Sequence, residues 1–296
     1  AILNLIPFEG SIRVAGAEAS ATDRKTFTSR VQAVFQDPMS ALNPRKTIGF
    51  TLREPLRAHG IGTPGEQTEA VNRMLERIGL NASYADRYPR ELSGGQRQRV
   101  CIGAALMLKP ELVIADEAVS ALDVSVGAQI LNLFRDIDAQ RDFAMLFISH
   151  NLNVVYYLCD RIAVMYRGRI VELGTADEIY RNPQHPYTKL LLAAIPDWNS
   201  QIEDDGTKTL EELEQEDAKL ETVREDVPEA CCFYHRCPNA CEKCRKCPET
   251  VNVAPEEEEA HLVSCFLQQK KSQPKCYAED SDTGKTKDTA AESERS

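Results

Sequence analysis

A short apolar run followed by two carboxylates constrains the fold of this chain more than any other feature. Residues 112–115 read LVIA, and Asp116 and Glu117 follow directly. An uninterrupted apolar run of this length is typical of a strand buried in a parallel sheet. Open parallel sheets place their functional residues at the carboxyl ends of the strands. The sequence therefore predicts a parallel sheet with Asp116 and Glu117 at its functional edge.

Extended and helical segments alternate through residues 1–198. Alternating patterns or short apolar runs predict strands, and the run FAMLFIS predicts a second buried strand that ends at His150. The predicted strands cover residues 9–15, 30–36, 112–115 and 143–149, and a hairpin covers 161–174 with its turn at Arg167 and Gly168. Helical spacing and capping residues predict helices at 66–79, 93–108, 125–141 and about 151–159. The alternation indicates an α/β domain with a mostly parallel core sheet.

Composition changes sharply after about residue 198. The net charge is −11, and residues 199–296 hold 24 acidic and 13 basic side chains, so residues 1–198 are balanced. We expect an α/β domain at 1–198, an acidic linker at 199–229, a cysteine-rich module at 230–268 and a disordered tail at 269–296. Nucleic acid is not expected as a partner, because phosphate binding needs concentrated basic residues.

No apolar run approaches the roughly 20 residues of a membrane span, and the first ten residues lack the basic start of a signal peptide. We expect a cytosolic chain that reaches a membrane only through a partner.

The cysteines are also unevenly placed. Eight of the ten fall between Cys231 and Cys276. In a reducing compartment such a cluster more often binds metal than forms disulfides. Spacing alone leaves an iron–sulfur cluster, a zinc site and free or disulfide-bonded thiols open.

Residues 93–96 (SGGQ) open a predicted helix with a serine cap and two glycines. Such a start offers backbone N–H groups and the positive end of the helix dipole to an anion. An ordinary capped helix would explain the same three residues. The full string at 92–99, LSGGQRQR, resembles the signature motif of ABC ATPases. In that family Ser93, Gly94, Gly95 and Gln96 would contact the γ-phosphate of an ATP held by the opposing subunit.

Other segments resemble motifs of the same family in the same order. Residues 112–117 resemble a Walker B motif with its catalytic glutamate, which would give Asp116 to Mg²⁺ and make Glu117 the general base. Asp123 would belong to the D-loop, His150 would be the H-loop histidine near the γ-phosphate, and Gln36 would sense Mg²⁺ and γ-phosphate from the Q-loop. The resemblance implies an ABC-type nucleotide-binding domain with a parallel core sheet and a helical subdomain.

Two further strings resemble the peptide and nickel importer branch of ABC ATPases. They are QDPMSALNP at 36–44 and NPQHPYTKLL at 182–191. In that branch the C-terminal cysteine pattern implies a [4Fe–4S] cluster on Cys231, Cys237, Cys244 and Cys265, with zinc as the alternative.

The resemblance implies an ATP-hydrolysing subunit that powers peptide import. Its partners would be a second ATPase in a head-to-tail dimer, two transmembrane permease subunits and, indirectly, an external peptide-binding protein, so the chain would lie at the cytoplasmic face of the membrane. Dipeptides, oligopeptides, nickel chelates and glutathione stay open as solutes. The alternatives are a soluble ABC protein outside transport and a catalytically dead adaptor.

One family motif has no counterpart in these residues. No G-x-x-x-x-G-K-[ST] string precedes Gln36, and the GKT at 284–286 follows no predicted strand. The first residues resemble the helix that follows this loop in the family. We therefore expect a chain truncated at its N-terminus, with little ATPase activity on its own, since nothing here cradles the β- and γ-phosphates.

Overall fold

The computed structural model describes residues 2–3, 5–138, 143–195, 229–255 and 259–269. The chain divides into two compact units, residues 1–160 and 161–296. The division falls before the predicted hairpin, which therefore groups with the C-terminal residues. The predicted acidic linker and C-terminal tail lie outside the described residues, apart from Glu229 and Gln269.

The first unit is built on a parallel sheet, as its apolar runs predicted. Strands β3 (Val31–Val34), β4 (Leu112–Asp116) and β5 (Ala144–Ile148) lie in the order β3-β4-β5. Val34 pairs with Ala115, and Asp116 pairs with Ile148. All three strands therefore end at one edge, and the residues that follow them share it.

Two strand predictions need correction. Of residues 9–15, only β1 (Arg13–Val14) is a strand, and it pairs with the equally short β2 (Ala17–Glu18). Strand β5 was expected to be buried, but Phe147 is its one buried residue, and Leu146 and Ile148 are 38% and 44% exposed. The reason is position: β5 is an outer strand of the described sheet, so Phe147 is buried in the core and Met145 packs against it only partly buried.

Helices of the first unit begin at polar caps. Thr63 and Glu66 form a capping box at α4, and Ser93 and Gln96 form one at α5. The predicted helices at 66–79, 93–108, 125–141 and 151–159 are confirmed as α4, α5, α6 and α7. The α-helices of this unit are α1 (Arg24–Arg30), α2 (Pro38–Ala41), α3 (Ile48–His59), α4 (Pro64–Arg77), α5 (Gly94–Leu106), α6 (Val124–Asp138) and α7 (Leu152–Leu158), with 3₁₀ turns at Ala82–Asp86 and Pro89–Glu91.

Helices α3, α4 and α5 pack closely enough to need a glycine. A Cβ on Gly103 of α5 would lie 3.1 Å from Ile78, 3.2 Å from Met74 and 3.3 Å from Leu52. These three side chains belong to the buried core that also contains β4 residues. The α5 helix thus joins the helical layer to the sheet.

The described residues of the second unit form an antiparallel sheet and two α-helices. Strands β6 (Arg161–Tyr166) and β7 (Arg169–Thr175) form the predicted hairpin, and its two turn residues have positive φ angles of 47° and 75°. Positive φ at both turn positions matches the right-handed twist of a hairpin. Strands β8 (Val251–Asn252) and β9 (Leu262–Val263), from the cysteine-rich residues, extend this sheet through β7. Helices α8 (Ala176–Arg181) and α9 (Pro186–Ala193) follow the hairpin.

Among the described residues, no helix has both the length and the apolar character that crossing a membrane requires.

Candidate functional site

Two predicted catalytic side chains meet at the carboxyl edge of the parallel sheet. Nδ1 of His150, which follows β5, lies 3.3 Å from Oε1 of Glu117, which follows β4. The Glu117 side chain is 32% exposed and that of His150 is 61% exposed. Both groups are therefore open to solvent, as a base that acts on a water molecule must be.

The backbone of Glu117 is held in an uncommon conformation. Its φ angle is +48°, in the left-handed region that residues with a Cβ rarely adopt. The Glu117 N–H donates to the Ile148 carbonyl at 3.0 Å, and the Ser120 hydroxyl donates to the Glu117 carbonyl at 2.9 Å. The turn after β4 is thereby fixed to β5, which aims the Glu117 carboxylate toward His150.

Asp116 and Gln36 lie at the same edge but are not part of the Glu117–His150 pair. Asp116 is the last residue of β4 and is exposed. Gln36 stands two residues after β3 and is also exposed. The carboxylate of Asp116 is a hard oxygen donor of the kind that Mg²⁺ prefers, so its chemistry fits the predicted role.

The predicted signature residues form a capped helix start. The Ser93 hydroxyl accepts from the Gln96 N–H at 3.3 Å, and the Gln96 side-chain oxygen accepts from the Ser93 N–H at 3.0 Å. The side chains of Ser93 and Gln96 are thus hydrogen-bonded to the backbone of the helix start. The N–H groups of Gly94 and Gly95 are the part of this turn that would bind an anion.

The signature turn packs against the segment that carries Asp123. A Cβ on Gly95 would collide with Cγ1 of Val126, and one on Gly94 would lie 3.7 Å from Leu122. Asp123 caps α6, where its carboxylate accepts from the Val126 N–H at 3.0 Å and from the Ser125 hydroxyl at 2.8 Å. The hydrogen bonds from the Val126 N–H and the Ser125 hydroxyl hold the Asp123 pKa below its ordinary value. Asp123 is therefore an anion fixed beside the signature turn.

The four cysteines predicted to hold a cluster are not placed as a metal-binding group in the described residues. No group of three or more His, Cys, Asp or Glu side chains is placed there to hold a metal ion. The thiols of Cys241 and Cys244 approach each other to 3.7 Å, and Cys241 was not among the predicted ligands. The ligand set Cys231, Cys237, Cys244 and Cys265 is thus not supported, either for [4Fe–4S] or for zinc.

A buried polar cluster holds the cysteine-rich residues to the hairpin. Nε2 of His261 lies 2.7 Å from Glu172, and its Nδ1 lies 3.1 Å from Glu178. Glu172 and His261 are 0% and 1% exposed. The Glu172 carboxylate also accepts from the backbone N–H groups of Gln184 and His185, at 2.7 and 2.9 Å. The imidazole of His261 is therefore engaged by two carboxylates.

Comparisons with known proteins agree with this arrangement. Residues 1–120 match the family described as ABC transporter, and residues 171–244 match the oligopeptide/dipeptide transporter C-terminal region. The chain is 42% identical over 269 residues to the oligopeptide transport ATP-binding protein AppF of Bacillus subtilis, covering 88% of this chain and 78% of that protein. The chain is a member of this family of ABC transporter ATP-binding proteins.

Further relatives agree with this membership. The di/tripeptide transport ATP-binding protein DppF of Pseudomonas aeruginosa is 43% identical over 265 residues, which cover 88% of this chain and 80% of that protein. The dipeptide transport ATP-binding protein DppF of Haemophilus influenzae is 42% identical over 263 residues, covering 88% and 77%.

A solved structure carries the same fold. It is a dimeric post-hydrolysis state of the ATP-binding cassette MJ0796 bound to ADP and Pi, and it matches 57% of this chain and 75% of its own chain with a TM-score of 0.50 and 26% identity. The ABC ATPase fold predicted from the motifs is confirmed by this likeness.

The ABC transporter match contains most of the predicted nucleotide-site residues, from Gln36 to Glu117. Two buried residues that sequence reasoning did not select are Gln98 and Glu172. Gln98 lies inside the LSGGQRQR string, and the only sequence feature that could have marked it is a polar residue on the inner side of a helix. Glu172 lies in an alternating strand, where a charged residue ordinarily faces solvent.

Proposed function

We propose that this protein is the ATP-binding and ATP-hydrolysing subunit of an ABC importer for peptides. The observation that carries the proposal is the pairing of Glu117 and His150 at 3.3 Å on adjacent strand ends, in a chain 42% identical to a named oligopeptide transport ATP-binding protein. The relatives described above are all named as transport proteins, which favours transport over the soluble and adaptor alternatives.

Each residue of the sheet edge has a distinct part in the proposed hydrolysis. Glu117 accepts the proton of the attacking water as general base, and His150 donates a hydrogen bond toward the γ-phosphate. Asp116 would hold Mg²⁺ and Gln36 would sense it, and the ion would supply charge neutralisation to the phosphates. The left-handed backbone of Glu117 keeps its carboxylate at the edge during turnover.

The signature residues act on a second copy or a related ATPase. The resemblance to the ABC signature motif implies that Gly94 and Gly95 would offer their N–H groups to an anion brought by another subunit. The neighbouring solved structure is dimeric. A head-to-tail dimer would place residues 93–96 against the nucleotide of the partner, with Asp123 beside the contact.

The proposed assembly includes two permease subunits and an external peptide-binding protein. The ATPase would then lie at the cytoplasmic face of the membrane, held by the permeases. Peptides are proposed as the solute because the relatives are named for oligopeptides, dipeptides and tripeptides. A metal centre in the cysteine-rich residues has no part in this proposal, since no metal-binding group of side chains is found among the described residues.

The 296 residues contain no phosphate-binding loop before Gln36. We propose that a polypeptide of these residues alone turns over little ATP, because no lysine or glycine-rich loop cradles the phosphates. Adding a G-x-x-x-x-G-K-[ST] segment ahead of residue 1 is expected to raise the turnover, so every turnover and transport experiment uses the chain extended in this way.

The experiment that tests the function is transport in proteoliposomes. The transporter assembled with this protein is expected to accumulate a radiolabelled dipeptide or oligopeptide only when ATP and Mg²⁺ are inside the compartment that faces the ATPase. Uptake that is independent of ATP, or ATP turnover that no peptide stimulates, would exclude the proposed function.

A further inference from the structure

A buried amide of the signature helix faces the loop that carries Gln36. Gln98 lies on α5 and is 1% exposed. Its Nε2 donates to the carbonyl of Phe35, the residue before Gln36, over a long 3.5 Å. Its Oε1 is buried and has no hydrogen-bond partner among the described residues. This amide is therefore tied to the loop by one long hydrogen bond, and its oxygen accepts none from the described residues.

A second residue of α5 marks the same contact. Cys101 follows Gln98 by about one helical turn and is 8% exposed. Burial raises its pKa to about 12, and the negative charge of Asp37 adds to that effect. Asp37 directly follows Gln36 and caps α2, accepting from the Met39 N–H at 2.8 Å. The segment from Phe35 to Asp37 thus lies along α5 beside both Gln98 and Cys101.

The incomplete pairing of Gln98 makes it sensitive to where this loop lies. A primary amide offers two donors and one acceptor, and buried polar groups in folded proteins are almost always paired. A small shift of the loop that shortens the bond to Phe35 and brings an N–H to Oε1 would favour the shifted position. Because Gln98 is on the helix that begins at Ser93, such a shift bears directly on the signature turn.

We propose that Gln98 is a positioning residue that couples the Gln36 loop to the signature helix, so that the two move together. The proposal rests on the proposed function, which gives Gln36 to one nucleotide and residues 93–96 to the nucleotide of the partner subunit. The Gln98 amide thereby links the two nucleotide sites of the dimer through a single subunit.

The direct test is hydrogen exchange of the loop in the full chain. Gln98→Met keeps the length of the side chain and removes both polar atoms. The matched control is Gln67→Met, because Gln67 is likewise buried at 8% exposure and donates to the Ile61 and Gly62 carbonyls at 2.9 and 3.3 Å. We expect the amides of residues 35–42 to exchange about tenfold faster in Gln98→Met, and at the native rate in Gln67→Met.

A kinetic measurement separates positioning from mere stabilisation. In the assembled transporter, Gln98→Met is expected to lower kcat for ATP about fivefold or more, with KM for ATP within about twofold of the native value. A purely structural residue would lower the melting temperature and the yield, with kcat unchanged for each folded complex, and that result would overturn the proposal.

A second variant guards against failure to fold. If Gln98→Met does not melt cooperatively, Gln98→Asn retains the amide but is one methylene too short for the loop, and the same faster exchange is expected. Loop exchange within about twofold of native in the folded variant, or equal acceleration in Gln67→Met, would overturn the proposal. The exchange measurement needs no ATP, so it remains decisive if the proposed function itself fails.

Discussion

Glu117 and His150 meet across two adjacent parallel strands, with Oε1 of the glutamate 3.3 Å from Nδ1 of the histidine. The pairing of Asp116 with Ile148 sets the relative position of the two strand ends. The bond from the Glu117 N–H to the Ile148 carbonyl then fixes the turn between them. The Glu117 carboxylate and the His150 imidazole are thus held together by the sheet itself.

Removing the imidazole should slow hydrolysis without weakening nucleotide binding. In the assembled transporter, His150→Ala is expected to lower kcat for ATP about a hundredfold, because the γ-phosphate and the water lose a positioned donor. Steady-state turnover and nucleotide affinity measure the two effects separately. His59→Ala, at the end of α3, is the control and should retain native turnover. Equal loss in both variants would contradict the assignment of His150.

Gly95 should tolerate no larger side chain. The Cβ of Gly95→Ala would collide with Val126, whose β-branched side chain has little rotameric freedom on a helix. We expect a loss of about 1–3 kcal/mol in the free energy of unfolding, measured by denaturant titration. The control is Gly127→Ala on α6, where nothing lies within 4 Å and the change should stabilise the chain by about 0.5–1 kcal/mol.

The double variant Gly95→Ala with Val126→Ala tests the cause of that loss. It should recover part of the stability, because the colliding methyl group is gone. If the double variant loses as much stability as the two single variants together, the contact between α5 and α6 is not responsible.

Asp123 should contribute a stabilisation that acid removes. The Val126 N–H lowers the pKa of this carboxylate from its ordinary 3.8, so the folded state favours the charged form. The contribution is complete well above pH 3.8 and is lost as the pH falls through the lowered pKa. Asp123→Asn should therefore melt below the native protein at pH 7, with a gap that closes in acid.

Glu54→Gln is the control for the acid titration, since Glu54 is exposed on α3. A gap between native and Asp123→Asn that stays constant down to pH 2 would show that the carboxylate charge is not what caps α6.

The cluster around Glu172 should be the main attachment of the cysteine-rich residues. Glu172→Gln replaces a fully buried carboxylate that His261 and two backbone N–H groups contact. Breaking such a buried pair costs about 3–5 kcal/mol. We expect the amides of β9 to exchange their hydrogens faster than in the native protein. Asp177→Asn, which breaks an exposed ion pair with Arg181, should leave that protection unchanged.

Local signals predicted the parts of the fold that depend on neighbours in sequence. The serine cap at Ser93 and the helical spacing predicted a helix at 93–108, within a few residues of the observed α5. The Arg167-Gly168 turn was found because a hairpin requires residues that accept positive φ. Strand β5 was placed correctly, but its exposure depends on what lies beside it, and an apolar run carries no such information.

Contacts between distant segments left no local trace. Glu172 alternates like an outward-facing strand residue, yet its partner His261 lies far along the chain. Strands β8 and β9 have two residues each, too few for any periodicity. The cysteine spacing predicted a common ligand set, which the described residues do not support. Tertiary packing decided each of these features.

The central claim is that Glu117 is the base for ATP hydrolysis in a peptide importer, and ATP turnover by the assembled transporter tests it most directly. Glu117→Gln keeps the size and the backbone bond but cannot accept the proton, so turnover should fall by about a hundredfold or more. Glu111→Gln, at the opposite end of β4 and paired with Arg30, should keep native, peptide-stimulated turnover. Native turnover in Glu117→Gln would contradict the account.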